Sequence, residues 1–296
     1  MGLGHLLMKK PWRYFSILLA FHGVQPKAEK VILTGKVDFS NHPHLRDFAF
    51  LKSVAGSAIA KMCIPSPAIL HMVLAVRDEQ FSLPQGYADD DAFLEGLAMA
   101  YQKVVLAFYD AGCRYLQLDD TSWGSLCSEE EREKMQRRGV DPDVLCKRYV
   151  ELVNKVVAVR PADMTVTMHI CRGNFRSTWM TSGGYEPVAP ELFGKSKLDG
   201  FFLEYDTERA GDFSPLRYIQ NQQVVLGLVS SKIGALESKD AVKKRIAEAA
   251  QYVPINQLCL SPQCGFSSTE EGNILTEEEQ WDKVRLVVET AAEVLK

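Results

Sequence analysis

The stretch "TVTMHIC" (165–171) is an apolar, β-branched run that ends on two residues able to bind a metal, His169 and Cys171. A run of this length and composition favours a buried β-strand. Side chains alternate along a strand, so positions 169 and 171 point to the same face. The stretch therefore predicts a strand that presents an imidazole and a thiol side by side at its carboxyl end.

Five further runs of the same character predict strands elsewhere in the chain. They cover residues 60–65, 115–120, 200–206, 224–230 and 257–263. Segments with helical periodicity lie between several of them. The predicted helices are 90–111, one opened by Asp141-Pro142 and closed before Pro161, one from Ser238 to about Tyr252, and one opened by a capping box at Thr276–Glu279. This alternation predicts parallel strands joined by right-handed crossovers.

Polar residues recur at the carboxyl ends of the predicted strands, which in a (β/α)8 barrel form one active-site face. No Gly-x-Gly-x-x-Gly segment and no Gly-Lys-Ser/Thr loop follows any of these strands, which disfavours a dinucleotide or phosphate-loop site. The sequence predicts an α/β fold, a (β/α)8 TIM-type barrel. Only six βα units are evident, so we expect the barrel to be incomplete at its N-terminus.

The first 59 residues do not follow the barrel pattern. "KVILTGKVDF" (30–39) alternates like one arm of a β-hairpin, and a helix is expected near 44–55. We therefore predict an N-terminal segment (1–59) and a barrel domain (60–296). A basic stretch precedes the apolar run 15–21, as in a signal peptide, but no small-residue cleavage site follows it. The sequence disfavours a cleaved signal.

Composition and charge restrict the classes of partner. The chain has 296 residues, a net charge of -4 and no basic run, so we expect neither nucleic acid nor anionic lipid as a ligand. No apolar run approaches the ~20 residues that span a bilayer. The seven cysteines are an odd number and are scattered, which favours a reducing, cytoplasmic location with free thiols or a metal site.

The His169 and Cys171 pair becomes a candidate zinc site when residues from later strands are added. Zinc accepts imidazole and thiolate ligands together, usually in a tetrahedral shell. Glu204 and Cys264 stand at the ends of two later predicted strands, and a barrel would bring them to the same mouth. Each residue alone is compatible with ordinary packing or a solvated strand end. We assign the other cysteines to packing: Cys63, Cys113, Cys127, Cys146 and Cys259.

Five segments carry a resemblance to a known family: "LQLDD" (116–120), "HICRGN" (169–174), "FFLEYD" (201–206), "LGLVSSK" (226–232) and "LSPQCGF" (260–266). Over about residues 60–296 the chain resembles the catalytic domain of cobalamin-independent methionine synthase, and more closely the shorter methionine synthase II-like proteins. The resemblance implies a barrel with one Zn²⁺ held by four residues. These ligands would be His169, Cys171, Glu204 and Cys264.

The resemblance also implies a methyltransferase activity. A small-molecule thiol such as homocysteine would be held as a thiolate and would accept a methyl group from a donor such as 5-methyltetrahydrofolate. Asp119 matches the aspartate that holds the substrate amino group, although a strand-end carboxylate can instead cap the next helix. Glu204 is the ligand expected to move. The expected catalytic residues are Asp119, Asp120 and Glu204, and the expected substrate-binding residues are Asp119, Arg172, Asn174 and Ser231.

Two departures from the family pattern leave alternatives open. The Gly-Ser and Asp-Gly-Glu segments of the first family strands are not visible, so a truncated barrel is expected. The alternatives for such an open barrel are a homodimer, an N-terminal segment that fills the gap, and a fragment. Ser230-Ser231-Lys232 stands where methionine synthase has a histidine. The alternatives are alkyl transfer to another thiol, as in a coenzyme M transferase, and a non-catalytic zinc-binding remnant. Trp123 and Trp179 are candidates to pack on a flat donor, but aromatic residues near strand ends more often belong to the core.

Overall fold

The computed structural model describes residues 14–18, 27–31, 33, 35–76 and 83–295, and these residues form eight strands and nine α-helices. The strands are β1 Tyr14–Leu18, β2 Lys27–Val31, β3 Lys61–Pro65, β4 Tyr115–Asp120, β5 Thr165–Ile170, β6 Gly200–Glu204, β7 Gln223–Val229 and β8 Leu258–Pro262. The helices are α1 Pro43–Val54, α2 Pro67–His71, α3 Asp90–Asp110, α4 Ser122–Cys127, α5 Glu129–Arg137, α6 Pro142–Val157, α7 Ala189–Lys195, α8 Lys239–Ala249 and α9 Glu277–Val294.

Strands β3 to β8 form one parallel sheet in chain order. This confirms the predicted α/β fold with six βα-type strands, each within two residues of its predicted bounds at either end. Short 3₁₀ turns at Glu208–Ala210, Ser214–Tyr218 and Ile255–Gln257, and a π-helical turn at Met72–Val76, lie in the connections. Within the described residues no helix is both long enough and apolar enough to cross a bilayer.

The two faces of the sheet differ in character. Leu118, Met168 and Leu203 point to the helix-covered face and are at most 1% exposed. Their neighbours Asp119, His169 and Glu204 point to the opposite, inner face because side chains alternate along each strand. The register sets Asp119 opposite His169 across β4 and β5. The fold thus collects the polar strand-end residues inside the curved sheet.

The sheet is open at both ends in the part of the chain that the structure describes. β3 pairs only with β4, and β8 pairs only with β7. Burial falls at these edges: Cys63 in β3 is exposed, and residues 259–262 of β8 are all half-buried. Such an arrangement is an incomplete barrel, because a closed barrel leaves no unpaired strand edge.

The N-terminal hairpin lies earlier than predicted. β2 ends at Val31 and pairs antiparallel with β1, whereas the described residues of the expected arm beyond Val31 form no strand. Tertiary contacts override the alternating pattern there. The Val37 backbone N–H donates to the Tyr87 hydroxyl at 2.8 Å, and the Val37 side chain is buried in the core. The predicted helix near 44–55 is confirmed as α1, which packs on the barrel through Phe48 and Phe108.

Helix terminal signals are mostly confirmed. Thr276 and Glu279 form the full capping box of α9, and Asp141 accepts backbone N–H bonds at the start of α6. Ser238 precedes α8 but makes no side-chain capping bond. α8 also ends earlier than predicted, because the chain turns after Ala249 and brings Val253 into the core at 1% exposure.

We predict that Phe48→Ala lowers the free energy of unfolding by ~3–5 kcal/mol, because Phe48 is fully buried against the ring of Phe108. Phe50→Ala is the matched control on the same helix. Phe50 is 71% exposed, and its truncation should change stability by less than ~0.5 kcal/mol. Urea unfolding of both variants measures the difference. Equal effects would show that α1 does not pack on α3 as described.

Candidate metal centre

Four potential ligands converge at the carboxyl end of the sheet. His169 lies at the end of β5 and Cys171 directly follows that strand, Glu204 ends β6, and Cys264 lies two residues after β8. One ligand atom from each lies within 4.8 Å of the other three. His169 and Glu204 are buried, and the two cysteines are half-buried. The structure therefore brings together the residues that the sequence singled out.

The distances between these atoms fit a tetrahedral zinc shell. The two sulfurs of Cys171 and Cys264 are 3.8 Å apart, and Cys264 Sγ is 3.4 Å from His169 Nε2. Zn–S bonds of ~2.3 Å and Zn–N bonds of ~2.0 Å give tetrahedral edges of roughly 3.8 and 3.5 Å. Two thiolates, an imidazole and a carboxylate are also a donor set that zinc accepts. The residues present fit this metal.

The imidazole is oriented by the neighbouring strand. His169 Nδ1 donates to the carbonyl oxygen of Phe202 in β6 at 3.3 Å, because a carbonyl can only accept. This leaves Nε2 as the nitrogen that faces Cys264. A hydrogen bond on the far nitrogen fixes both the tautomer and the ring orientation, as is usual for histidines that bind metals.

Glu204 is fully buried and held at several atoms. Its Oε1 accepts the backbone N–H of Arg172 at 2.9 Å, and its Oε2 accepts from Arg209 Nη2 at 3.0 Å. The hydroxyl of Tyr185 accepts the Glu204 backbone N–H and donates to the Glu204 carbonyl. The carboxylate therefore has a fixed direction. Sequence reasoning missed Arg209 and Tyr185, since both lie in connecting segments with no motif of their own.

A buried lysine organises the segment that follows β5. Lys232 is 4% exposed, and its Nζ donates to the carbonyls of Gly173 and Thr178 and to Asn174 Oδ1, at 2.9–3.2 Å. Gly173 has a φ of +92°, and a Cβ there would clash with Met180 at 2.8 Å. Both features hold the turn next to Cys171. The Ser-Ser-Lys sequence pointed to this lysine without giving it a role.

The pKa values in the cluster follow from its close thiols. The hydrogen bond with Cys171 and the nearby His169 lower the pKa of the Cys264 thiol well below its usual range, although burial raises it. The same bond, together with burial, raises the pKa of Cys171. Burial lowers the pKa of His169, but Cys264, Asp119 and Glu204 outweigh it and raise the pKa to about 9. Without a metal, the pocket therefore holds protons on Cys171 and His169 at neutral pH.

The side chains of the two adjacent aspartates, Asp119 and Asp120, point to opposite faces of the sheet. Asp119 shares the inner face with His169, and its Oδ1 accepts from Gln117 at 2.6 Å. Asp120 departs from the expectation of a catalytic contact. It is fully buried on the opposite face, and its Oδ1 accepts both the backbone N–H and the hydroxyl of Ser122. Successive strand residues point to opposite faces, so Asp120 stabilises the start of α4.

The residues expected to bind substrate lie around the cluster in different ways. Arg172 is fully buried, with its guanidinium 4.5 Å from the centre of the Tyr185 ring, so only its backbone N–H reaches a ligand. Asn174 Nδ2 donates to the carbonyl of Gly265, one residue after Cys264. Ser231 is buried, and its hydroxyl donates to Gln263 at 2.9 Å. Their substrate roles stay predictions.

The two tryptophans differ. Trp123 is fully buried, meets the ring of Tyr149 edge-on and belongs to the core. Trp179 is half-buried, and the guanidinium of Arg209 lies 5.1 Å from its ring centre. Trp179 therefore contacts the candidate centre indirectly, because Arg209 also donates a hydrogen bond to Glu204.

Comparison with known proteins identifies the family. The model of the cobalamin-independent synthase catalytic domain matches residues 80–293. The chain belongs to this family. YxjG of Bacillus subtilis (strain 168), an uncharacterized protein, is 51% identical over 280 residues, which cover 94% of this chain and 73% of YxjG.

Two further relatives carry the word methionine synthase in their names. A structure of the putative vitamin-B12 independent methionine synthase from Listeria monocytogenes matches with 47% identity and a TM-score of 0.73, over 90% of this chain and 74% of that one. The methionine synthase of Pyrococcus horikoshii is 22% identical over 237 residues, 80% of this chain and 59% of that protein. Membership of the cobalamin-independent synthase family supports a methyltransferase function with small-molecule substrates, and the family is typically zinc-dependent.

We predict that the Cys171→Ser, Cys264→Ser double variant no longer retains zinc, because only two of the four ligands remain. Metal analysis after dialysis against a weak chelator measures the zinc bound per chain. The matched control is Cys113→Ser, Cys146→Ser, which changes two buried cysteines outside the cluster. Zinc retention by the first variant would contradict the ligand assignment.

We predict that zinc binding releases about two protons per metal at pH 7, from Cys171 and His169, because both groups must be deprotonated to bind. Both pKa values are raised, that of His169 to about 9, so apparent zinc affinity should increase with pH throughout the range from pH 6 to about 9. Calorimetry in buffers of different ionisation enthalpy counts the protons. A zinc affinity that is constant between pH 6 and ~9 would disagree with these pKa shifts.

Proposed function

We propose that the chain is a zinc-dependent methyltransferase in which a homocysteine-like thiol accepts a methyl group from a donor such as 5-methyltetrahydrofolate. One observation carries the proposal. His169, Cys171, Glu204 and Cys264 meet at the carboxyl end of the sheet, with separations that suit tetrahedral zinc. Membership of the family adds the reaction class.

The thiol chemistry explains the choice of ligands. A free thiol has a pKa near ~8.5 and is mostly protonated at neutral pH, whereas the thiolate is the nucleophile. Bound zinc would supply the positive charge that keeps a substrate sulfur deprotonated. In this chain Cys171, Cys264 and His169 would hold the metal, and Glu204 would complete the shell until substrate arrives.

Asp119 is the residue we propose for the amino group of the substrate. It lies on the inner face directly across from His169 and is half-buried, so it can meet a ligand in the mouth of the sheet. Burial raises its pKa, and His169 opposes that rise. An incoming ammonium would oppose it further, because an opposite charge favours the carboxylate form.

A second candidate is alkyl transfer to a different thiol. The observation that favours it is Lys232, which stands in the segment where methionine synthase has a histidine. Its ammonium donates hydrogen bonds to Gly173, Asn174 and Thr178, so it does not replace that histidine as a proton carrier. A non-catalytic zinc-binding protein is the remaining alternative. It is favoured by the open edges of β3 and β8, which leave the substrate side of the sheet uncovered in the described residues.

Three further proposals concern the whole chain. We propose that residues 60–296 form the catalytic unit and residues 1–59 an added N-terminal segment, since the parallel sheet begins at β3. The unpaired edges of β3 and β8 support a homodimer. The seven free cysteines support a reducing, cytoplasmic location.

We predict that the zinc-loaded protein binds homocysteine with release of about one proton, because the thiol must ionise to reach the metal. Titration calorimetry with homocysteine, cysteine, coenzyme M and glutathione identifies the thiol, and transfer of labelled methyl from 5-methyltetrahydrofolate tests the reaction. The Cys171→Ser, Cys264→Ser variant is the control and should bind no thiol. Binding of coenzyme M alone would favour the second candidate, and zinc without any thiol response would favour the non-catalytic protein.

A further inference from the structure

The side chain of Glu204 has a partner that the candidate metal shell does not need. Arg209 Nη2 donates to Glu204 Oε2 at 3.0 Å and to Asp206 Oδ1 at 2.8 Å. The three side chains are 0%, 1% and 8% exposed for Glu204, Asp206 and Arg209. Glu204 therefore has a buried cation beside it, on the oxygen that the Arg172 N–H does not occupy.

We propose that Arg209 is a positioning residue that receives the Glu204 carboxylate when a substrate thiolate takes its place at the metal. The inference rests on the proposed function. It assigns a role to a residue outside the four-ligand cluster, and it names the contact that makes one of the four ligands exchangeable.

The chemistry of the ligands indicates which one leaves. A four-ligand zinc shell that stays tetrahedral has to give up one position to bind an incoming sulfur, and zinc thiolate bonds are favoured by the softness of both partners. The hard carboxylate oxygen of Glu204 is the ligand least matched to that preference. The exchange replaces one anion by another at the cluster, and the proton of the substrate thiol passes to water.

A carboxylate that leaves the cluster needs compensation for its charge. Glu204 is fully buried, and an unpaired buried charge is strongly unfavourable. Arg209 already contacts Oε2, so the released carboxylate keeps a charge-assisted hydrogen bond without moving into solvent. The Arg172 N–H supplies a second bond to the other oxygen.

Among the residues that the structure describes, no other cationic side chain donates a hydrogen bond to the Glu204 carboxylate. The Lys232 ammonium is directed to Gly173, Asn174 and Thr178. The Arg172 guanidinium lies over the Tyr185 ring, and the hydrogen bond from Arg172 to Glu204 comes from the backbone N–H.

Arg209 itself is fixed before any ligand binds. Asp206 holds the same nitrogen that contacts Glu204, and the guanidinium stacks 5.1 Å from the centre of the Trp179 ring. Restraint from both sides lowers the entropic cost of holding the carboxylate in one place.

A double-mutant cycle tests the assignment. Arg209→Met and Glu204→Gln are made singly and together, loaded with Co²⁺, and titrated with homocysteine. Arg209→Met should weaken thiol binding on the order of 30-fold in the wild-type background. In the Glu204→Gln background it should weaken binding by less than ~3-fold, because a neutral amide that leaves the cluster needs no cation. The Co²⁺ absorption spectrum independently reports whether the fourth ligand changes when thiol binds.

Two matched variants complete the experiment. Arg217→Met removes an exposed arginine that pairs with Glu186 outside the cluster and should leave thiol binding unchanged. Arg209→Lys keeps the charge and should recover part of the lost affinity. If Arg209→Met does not fold, Arg209→Lys replaces it in the experiment. The inference then requires that the thiol affinity of Arg209→Lys stay within ~10-fold of that of the wild type.

Three outcomes would overturn the inference. An equal loss of thiol affinity in both backgrounds would mean that Arg209 contacts the substrate directly. A loss of Co²⁺ affinity as large as the loss of thiol affinity would mean that Arg209 only supports the metal shell. Failure of the wild-type metal-loaded protein to bind any thiol would overturn the proposed function together with the inference, so the two failures are distinguishable.

Discussion

The hydrogen bond between His169 Nδ1 and the carbonyl of Phe202 links the fold of the chain to its chemistry. The bond exists because β5 and β6 pair in parallel with His169 opposite Phe202. It leaves His169 Nε2 directed at Cys264, 3.4 Å away. A shift of one residue in this register would turn His169 and Cys171 toward the helices and Ile170 toward the mouth. The burial of the apolar strand residues on the helix side therefore also fixes the candidate ligands.

Buried charge is the second constraint on the site. Glu204, Lys232 and Lys283 are each at most 4% exposed, and each makes charge-assisted hydrogen bonds. Lys283 of α9 pairs with Glu237, which in turn accepts the backbone N–H of Ser230 at the end of β7. This connection fixes the start of the segment that carries Lys232. Buried charges cost desolvation energy and add little net stability even when they are paired, so we interpret these contacts as devices that hold the ligand-bearing loops in one conformation.

Sequence reasoning succeeded where local pattern controls structure. Apolar β-branched runs located the six parallel strands, and alternation placed His169 and Cys171 on one face. The same alternation shows that Asp119 and Asp120 cannot both face the mouth, although the family resemblance led us to expect catalytic roles for both. Arg209 and Tyr185 could not be predicted, because their contacts with Glu204 depend on the path of two connecting segments. Of the described residues in the predicted 30–39 arm, only Lys30 and Val31 form a strand, and the contact of Val37 with Tyr87, 50 positions away in sequence, could not be read from the local pattern.

The positions of the ligands on the sheet separate two requirements of the proposed activity. His169, Cys171, Glu204 and Cys264 stand on or just after β5, β6 and β8, which the described strands already hold in register. Asp119 lies on β4, beside the edge strand β3, whose outer side has no partner in the described residues. Metal binding thus depends on paired strands and on the short segments that follow them, whereas binding of the rest of the substrate depends on what covers the β3 edge. Zinc affinity and thiol specificity should therefore respond to different parts of the chain: the first to the β5–β6 register, the second to the surroundings of Asp119.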